Sequence, residues 1–119
     1  MNICIIPARS GSSRVKNKNL FKIKNISILE KCIKNAKLSK VFDEIIVNSD
    51  SQKYLKLAKK YNCTIYKRSK RLSGKNIYLI DVIKDTIKKL KFNNDINLGI
   101  MLTTSILTKP KHIIKAYKL

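Results

Sequence analysis

The chain has 119 residues, 44% of them hydrophobic, which is enough for one modest core, leaves no room for a second domain and is too apolar for a disordered tail. No apolar run reaches membrane-spanning length, and residues 1–7 lack a charged n-region and a small-residue cleavage site, so the expectation is a cytoplasmic protein with no membrane partner. Twenty-seven basic against seven acidic residues give a net charge of +20, but only four of the basic residues are Arg and there is no Trp; solvated surface and general attraction of anions are therefore favoured over reading of nucleic acid.

Ile3, Cys4, Ile5 and Ile6 form a short apolar run that ends at Pro7, the pattern of a buried strand. A polar stretch follows. From Ser27 the period changes: Ile28, Leu29, Cys32, Ile33 and Ala36 share one helical face, and Ser27 with Glu30 makes a capping box. Residues 44–48 read as a second buried strand. Ser49, Asp50 and Ser51 then offer an N-cap, and for Asp50 that role ranks ahead of a ligand or metal contact. The helix behind runs to about Tyr61, with Tyr54, Leu55, Leu57 and Ala58 available for its inner face. Residues 63–66 are a third strand. A basic loop over 67–76 leads into a helix with Leu79, Val82, Ile83, Thr86, Ile87 and Leu90 turned inward. Asn93, Asn94 and Asp95 signal a turn; residues 97–102 are a fourth strand with Gly99 inside it; 103–108 is a loop, and Pro110 suits the first turn of a last helix. Cys4, Cys32 and Cys63 are widely spaced and His112 stands alone, which predicts small buried hydrophobes, not zinc ligands or a disulfide framework.

Strand and helix alternate with short connections, so the expected fold is α/β and Rossmann-like: a mostly parallel sheet with flanking helices, formed by residues 1–119 as a single domain. Ligands on such sheets bind beyond the carboxyl ends of the strands. That gathers loops 7–19, 48–51, 67–76 and 103–108 on one rim.

The first of these loops concentrates anion-binding chemistry. Gly11 and the serines Ser10, Ser12 and Ser13 allow backbone N–H groups to curl around phosphate oxygens, and Arg9, Arg14, Lys16 and Lys18 supply positive charge. Two of the four arginines sit here. Neither GxxxxGK[ST] nor GxGxxG is present, so this is neither a P-loop nor a dinucleotide fingerprint. By its residues alone the loop is a phosphate site or an ordinary flexible connection; its place after the first buried strand favours the phosphate.

The string Ile6-Pro7-Ala8-Arg9-Ser10-Gly11-Ser12, closed by Lys18-Asn19, resembles the opening motif of the acylneuraminate-type cytidylyltransferases. These include the CMP-sialic, CMP-pseudaminic and CMP-legionaminic acid synthetases, with the CMP-KDO synthetases more distant. Residues 42–50 are similar to the family's "FDEIIVSTD", Arg68 falls at the arginine of its "RP" pair, residues 79–87 resemble its "DVI" helix, and residues 101–113 resemble "LLQPTSPLR…HI". The resemblance implies a truncated fold of the nucleotide-diphospho-sugar transferase type. It implies transfer of CMP from CTP to a nonulosonic, sialic-type sugar acid with release of pyrophosphate, as used in surface-glycan biosynthesis. Arg9 and Lys18 would be catalytic, contacting the phosphates. Ala8, Ser10, Gly11, Ser12, Ser13, Arg14, Asn19 and Arg68 would complete the nucleotide site. Ser13 stands where the family carries a lysine, with Arg14 beside it as a possible substitute cation; Leu102 replaces a glutamine, and residues 103–108 lose both prolines and the arginine of "PTSPLR". The resemblance also implies Mg²⁺, whose aspartate ligands belong to a second half that these residues do not include, and a second polypeptide or a homodimer as partner. The alternatives are a catalytically inactive CTP- or CMP-binding module and a basic nucleic-acid-binding protein.

Overall fold

The computed structural model describes residues 1–11, 18–74, 77–92, 95–104 and 108–119. β1 (Asn2–Pro7) alternates its side chains between two buried faces: Cys4 and Ile6 point to one, Ile3 and Ile5 to the other. A single 3-10 turn at Lys18–Leu20 follows, then a two-residue-strand hairpin, β2 (Lys22–Ile23) against β3 (Ile26–Ser27). Lys24 and Asn25 at its tip have φ of 53° and 68°, the left-handed pair that a tight hairpin turn needs. No signal in the flanking residues announces this hairpin, because its strands are too short to show alternation.

α1 (Ile28–Ser39) starts on the expected capping box: Ser27 Oγ accepts from the Glu30 N–H at 3.1 Å, and the Glu30 carboxylate accepts from the Ser27 N–H at 3.4 Å. β4 (Glu44–Ser49) leads to α2 (Gln52–Lys60), then β5 (Thr64–Lys67), a 3-10 turn at Lys70–Leu72, α3 (Leu79–Lys89), β6 (Asn97–Ile100) and α4 (Pro110–Tyr117), which has Pro110 in its first turn. The fourth main strand is shorter than its apolar run suggests, ending at Ile100 rather than residue 102. The cap of α2 is Ser51, whose hydroxyl faces the Tyr54 N–H at 3.4 Å; Asp50 is free for another task.

The four longer strands make one parallel sheet in the order β5–β4–β1–β6. Leu29, Cys32, Ile33 and Ala36 of α1 and Tyr54 and Ala58 of α2 cover the face bearing Cys4, Ile6, Ile45 and Val47. α3 covers the other face through Ile83, against Ile3, Ile5 and Ile46. All three cysteines are buried and unpaired; burial raises Cys4 and lifts Cys32 to about 12, so neither is a thiolate at neutral pH. Among the described residues no helix is long and apolar enough to cross a membrane.

β6 approaches the β4 side of the molecule through one close contact. A Cβ built on Gly99 would lie 2.7 Å from the Phe42 ring. Gly99→Ala should therefore destabilise the fold by about 1–3 kcal/mol through overpacking, and Phe42→Leu in the same chain should recover part of that loss; equilibrium urea unfolding of the two single variants and the double variant measures both.

Candidate functional site

The strand order reverses between β1 and β6: the chain runs outward from β1 through β4 to β5, then returns to the far side of β1. Open α/β sheets bind ligands at such a reversal. Pro7 widens it. The Ala8 N–H bonds Asn48 O at 2.8 Å and Met101 N–H bonds Ile5 O at 3.1 Å, so odd residues of β1 direct their backbone groups toward β6. Pro7 is the next odd residue and has no N–H to offer. The β1–β6 pairing stops at Ile5 and Ile100, and the two chains part.

A cleft of about 310 Å³ occupies the gap. Pro7, Arg9, Gly11, Lys18 and Asn19 line it from the first loop, Arg68, Leu72 and Gly74 from the segment after β5, Leu79 and Val82 from α3, and Leu102, Thr103 and Thr104 from the end of β6. Three cations, Arg9, Lys18 and Arg68, thus face one space. The Arg68 and Arg9 charges lie close enough to oppose each other. Burial, more than that repulsion, lowers the Arg68 guanidinium from its ordinary value, while Asp50 pushes the other way.

Two side chains in the cleft are unusually placed. Asn19 is 1% exposed; its amide N–H donates to Arg9 O at 3.1 Å, while its Oδ1 has no hydrogen-bond partner among the described residues. A buried acceptor without a donor is costly. Arg68 is 7% exposed, and its Nε donates to Asn48 Oδ1 at 2.7 Å.

Asp50 braces the first loop. Its Oδ1 accepts from the Ser10 N–H at 2.8 Å and its Oδ2 from the Ser10 hydroxyl at 2.7 Å. Burial alone would raise this carboxyl, but the two Ser10 bonds, its own backbone N–H and the Arg68 charge outweigh burial and hold it below the usual carboxylate range.

Of the residues singled out by sequence, Arg9, Gly11, Lys18, Asn19 and Arg68 meet in the cleft. Ala8 lies in the core at 1% exposure, its methyl packed with the α1–α2 cluster. Ser10 turns its donors to Asp50. Ser12, Ser13, Arg14 and Lys16 lie outside the described residues, as do residues 105–107 of the last rim loop and 75–76 of the basic one. Asp50, expected first as a helix cap, serves as the loop brace instead. Leu79, expected on an inner face, is 41% exposed at the cleft edge. Sequence reasoning passed over Asn48 and Thr86, although each breaks an apolar pattern: Asn48 ends the run of β4, and Thr86 sits in the inner stripe of α3.

Mg²⁺ needs several oxygen ligands in near-octahedral array. No group of three or more His, Cys, Asp or Glu side chains among the described residues could hold a metal. Asp50 has both oxygens engaged by Ser10 and a guanidinium charge nearby. The residues described here do not fit the ion.

Residues 3–118 match the family model described as cytidylyltransferase. The chain belongs to the cytidylyltransferase family. Its relatives include a pseudaminic acid cytidylyltransferase of Campylobacter jejuni, 34% identical over 96 residues that make up 80% of this chain and 41% of that protein. An N-acylneuraminate cytidylyltransferase of Escherichia coli is 31% identical over 117 residues, covering 98% of this chain and 27% of its own length. Among solved structures, a CMP:2-keto-3-deoxy-manno-octonic acid synthetase complexed with CTP superposes with a TM-score of 0.80 at 15% identity, over 98% of this chain and 46% of that one. The chain thus spans about half or less of the length of these relatives, and the cytidylyltransferase fold is matched over its first half.

The Asp50–Ser10 brace gives a signed expectation. A carboxyl lowered in the folded state stabilises above its unfolded value, and that stabilisation disappears as pH falls through the folded value. Asp50→Asn should cost about 1.5–3 kcal/mol at pH 7, the range for hydrogen bonds to a charged group, and the gap between the two chains should close below about pH 4. Urea unfolding of both across pH measures it.

Proposed function

We propose that the cleft binds the triphosphate and base of CTP, and that the protein serves transfer of CMP to a nonulosonic, sialic-type sugar acid. The observation that carries this reading is the convergence of Arg9, Lys18 and Arg68 in one cleft at the strand-order reversal. Cations at close quarters suit phosphate oxygens. Family membership and the CTP-bound structure of like fold add support.

In that reaction the hydroxyl on the anomeric carbon of the sugar acid attacks the α-phosphorus of CTP. A new P–O bond forms, the bond from the α-phosphorus to the bridging oxygen breaks, pyrophosphate leaves with the electron pair, and the hydroxyl proton passes to solvent. Phosphoryl transfer is governed by positioning and by neutralising negative charge on the phosphoryl oxygens. Arg9 and Lys18 do that work here, and Arg68 and Asn19 hold the nucleotide.

A second reading has its own observation. The residues described do not fit Mg²⁺, and no carboxylate cluster lies among them. On this reading these residues bind CTP or CMP and turn nothing over by themselves, because turnover needs metal-binding carboxylates that they do not supply.

Both readings predict that CTP binds, and that Arg9→Ala and Lys18→Ala each weaken binding about tenfold or more, the scale of a lost charge-assisted hydrogen bond. Isothermal titration measures this. Pyrophosphate release in the presence of CTP, Mg²⁺ and a nonulosonic acid, abolished by Arg9→Ala, supports the enzyme; CTP binding with no release supports the binding module. Absence of CTP binding defeats both.

A further inference from the structure

Among the described residues Arg68 is the only cleft cation that the fold buries, and a buried guanidinium is held in place by whatever accepts from it. That acceptor is not a carboxylate. Arg68 Nε donates to Asn48 Oδ1 at 2.7 Å; Asn48 Nδ2 donates to Thr86 Oγ1 at 2.6 Å; the Thr86 hydroxyl donates to Val82 O at 2.9 Å. Asn48 and Thr86 are both fully buried. The direction of the chain is forced. A guanidinium has no acceptor, so the Asn48 oxygen must face Arg68 and its NH₂ must face Thr86. The backbone adds a second tether, with the Arg68 N–H on Ser49 O at 2.7 Å. The far end of the relay is Val82, which itself lines the cleft.

We propose that Asn48 and Thr86 are positioning residues which aim the Arg68 guanidinium into the cleft while leaving its charge intact for an anionic ligand. This rests on the nucleotide reading given above. The chemical point is the neutrality of Asn48. An aspartate there would orient Arg68 equally well, and it would add a second negative charge to the one Asp50 already brings near the guanidinium, so that the cleft would keep less positive charge for a ligand. Asn48 supplies an acceptor of the right geometry without an opposing charge. Thr86 fixes the Asn48 amide from the other side: its hydroxyl hydrogen is committed to Val82 O, so it can only accept from Asn48, and rotation would also set NH₂ against the guanidinium.

The test uses two readouts on the full chain. The first is hydrogen exchange of the Arg68 Nε–H by NMR, with the β1 amides as an internal measure of folding. Wild type and Thr86→Ser should show a slowly exchanging Nε–H. Thr86→Val should accelerate its exchange about tenfold or more, the scale of one buried hydrogen bond, while β1 protection is retained. An unchanged Nε–H rate in Thr86→Val overturns the relay. The second readout is CTP affinity. Asn48→Asp should keep the protected Nε–H and lose about tenfold in affinity, with a shallower salt dependence. Wild-type affinity in Asn48→Asp overturns the role assigned to its neutrality. Loss of Nε–H protection in Asn48→Asp also counts against the proposal. A wild-type chain that binds no CTP but shows the predicted exchange pattern defeats the nucleotide reading and leaves the positioning of Arg68 standing.

Discussion

The missing N–H of Pro7 is the constraint on which the site depends. In a parallel ladder each interior strand gives alternate backbone groups to its two neighbours. β1 does so up to Ile5, and at Pro7 the side facing β6 has nothing to donate. A residue with an N–H at this position could extend the ladder and draw Met101 and Leu102 alongside β1, closing the gap that now holds the cleft. On the other side pairing continues, with Pro7 opposite Asn48 and Ala8 bonded back to Asn48 O. The strand is therefore anchored on one side and released on the other, at the point where the strand order reverses. This also explains why β6 stops at Ile100 although apolar residues continue to Leu102. Hydrophobicity sets how long a strand can be, and hydrogen-bond partners set how long it is.

The net charge of +20 says little about the site by itself. About half of the lysines lie on the α-helices, largely exposed, where water screens them. Three cations matter more because the fold sets them around one space, and each is secured differently. Arg9 lies in a loop segment whose carbonyl accepts from buried Asn19. Lys18 opens the 3-10 turn that carries Asn19 into the core. Arg68 leaves the end of β5 and is fixed from behind by Asn48. Asp50 adds the one nearby negative charge, and its carboxylate is already engaged by Ser10. The result is a cleft with a net positive field, suited to a polyphosphate and poorly suited to a bare divalent cation.

Local patterns made much of this legible before any coordinates. Short apolar runs marked the four main strands, a 3.6-residue pattern the first three helices and Pro110 the last, and the Ser27–Glu30 box marked the start of α1, because these features arise from residues near each other in sequence. The cleft residues Arg9, Lys18, Asn19 and Arg68 were found by chemical type and by family resemblance. What escaped notice depends on pairs far apart in the chain. The Asp50–Ser10 brace joins residues forty apart, and the Asn48–Thr86 bond joins residues thirty-eight apart. Asp50 looked like a cap because Ser49, Asp50 and Ser51 all have capping side chains; tertiary geometry chose Ser51. Asn48 and Thr86 could have been paired from sequence, since a polar residue in a buried strand and another in a buried helix stripe must each find a partner. The β2–β3 hairpin offers no such clue, with two residues in each strand and no glycine in its turn.

The brace on Ser10 bears on how the loop meets a phosphate. In phosphate loops, backbone N–H groups often turn toward the anion. Here the Ser10 N–H and hydroxyl both turn away to Asp50, so a carboxylate of the protein already satisfies the donors that a phosphate would otherwise claim. Ser10 is thereby a fixed point between Pro7, where β1 ends, and Gly11, which lines the cleft with open space around its Cα. Fixing it restricts the path of the segment carrying Arg9, so the arginine need not be ordered again when ligand arrives. The same logic runs through Asn19 and Arg68. Asn19 and Arg68 are held by bonds to the protein's own backbone or amides before any ligand binds, and preorganisation of this kind lowers the entropy lost on binding. On the nucleotide reading proposed above, the described part of this loop offers a phosphate the Arg9 and Lys18 side chains, while the Ser10 N–H is kept for Asp50.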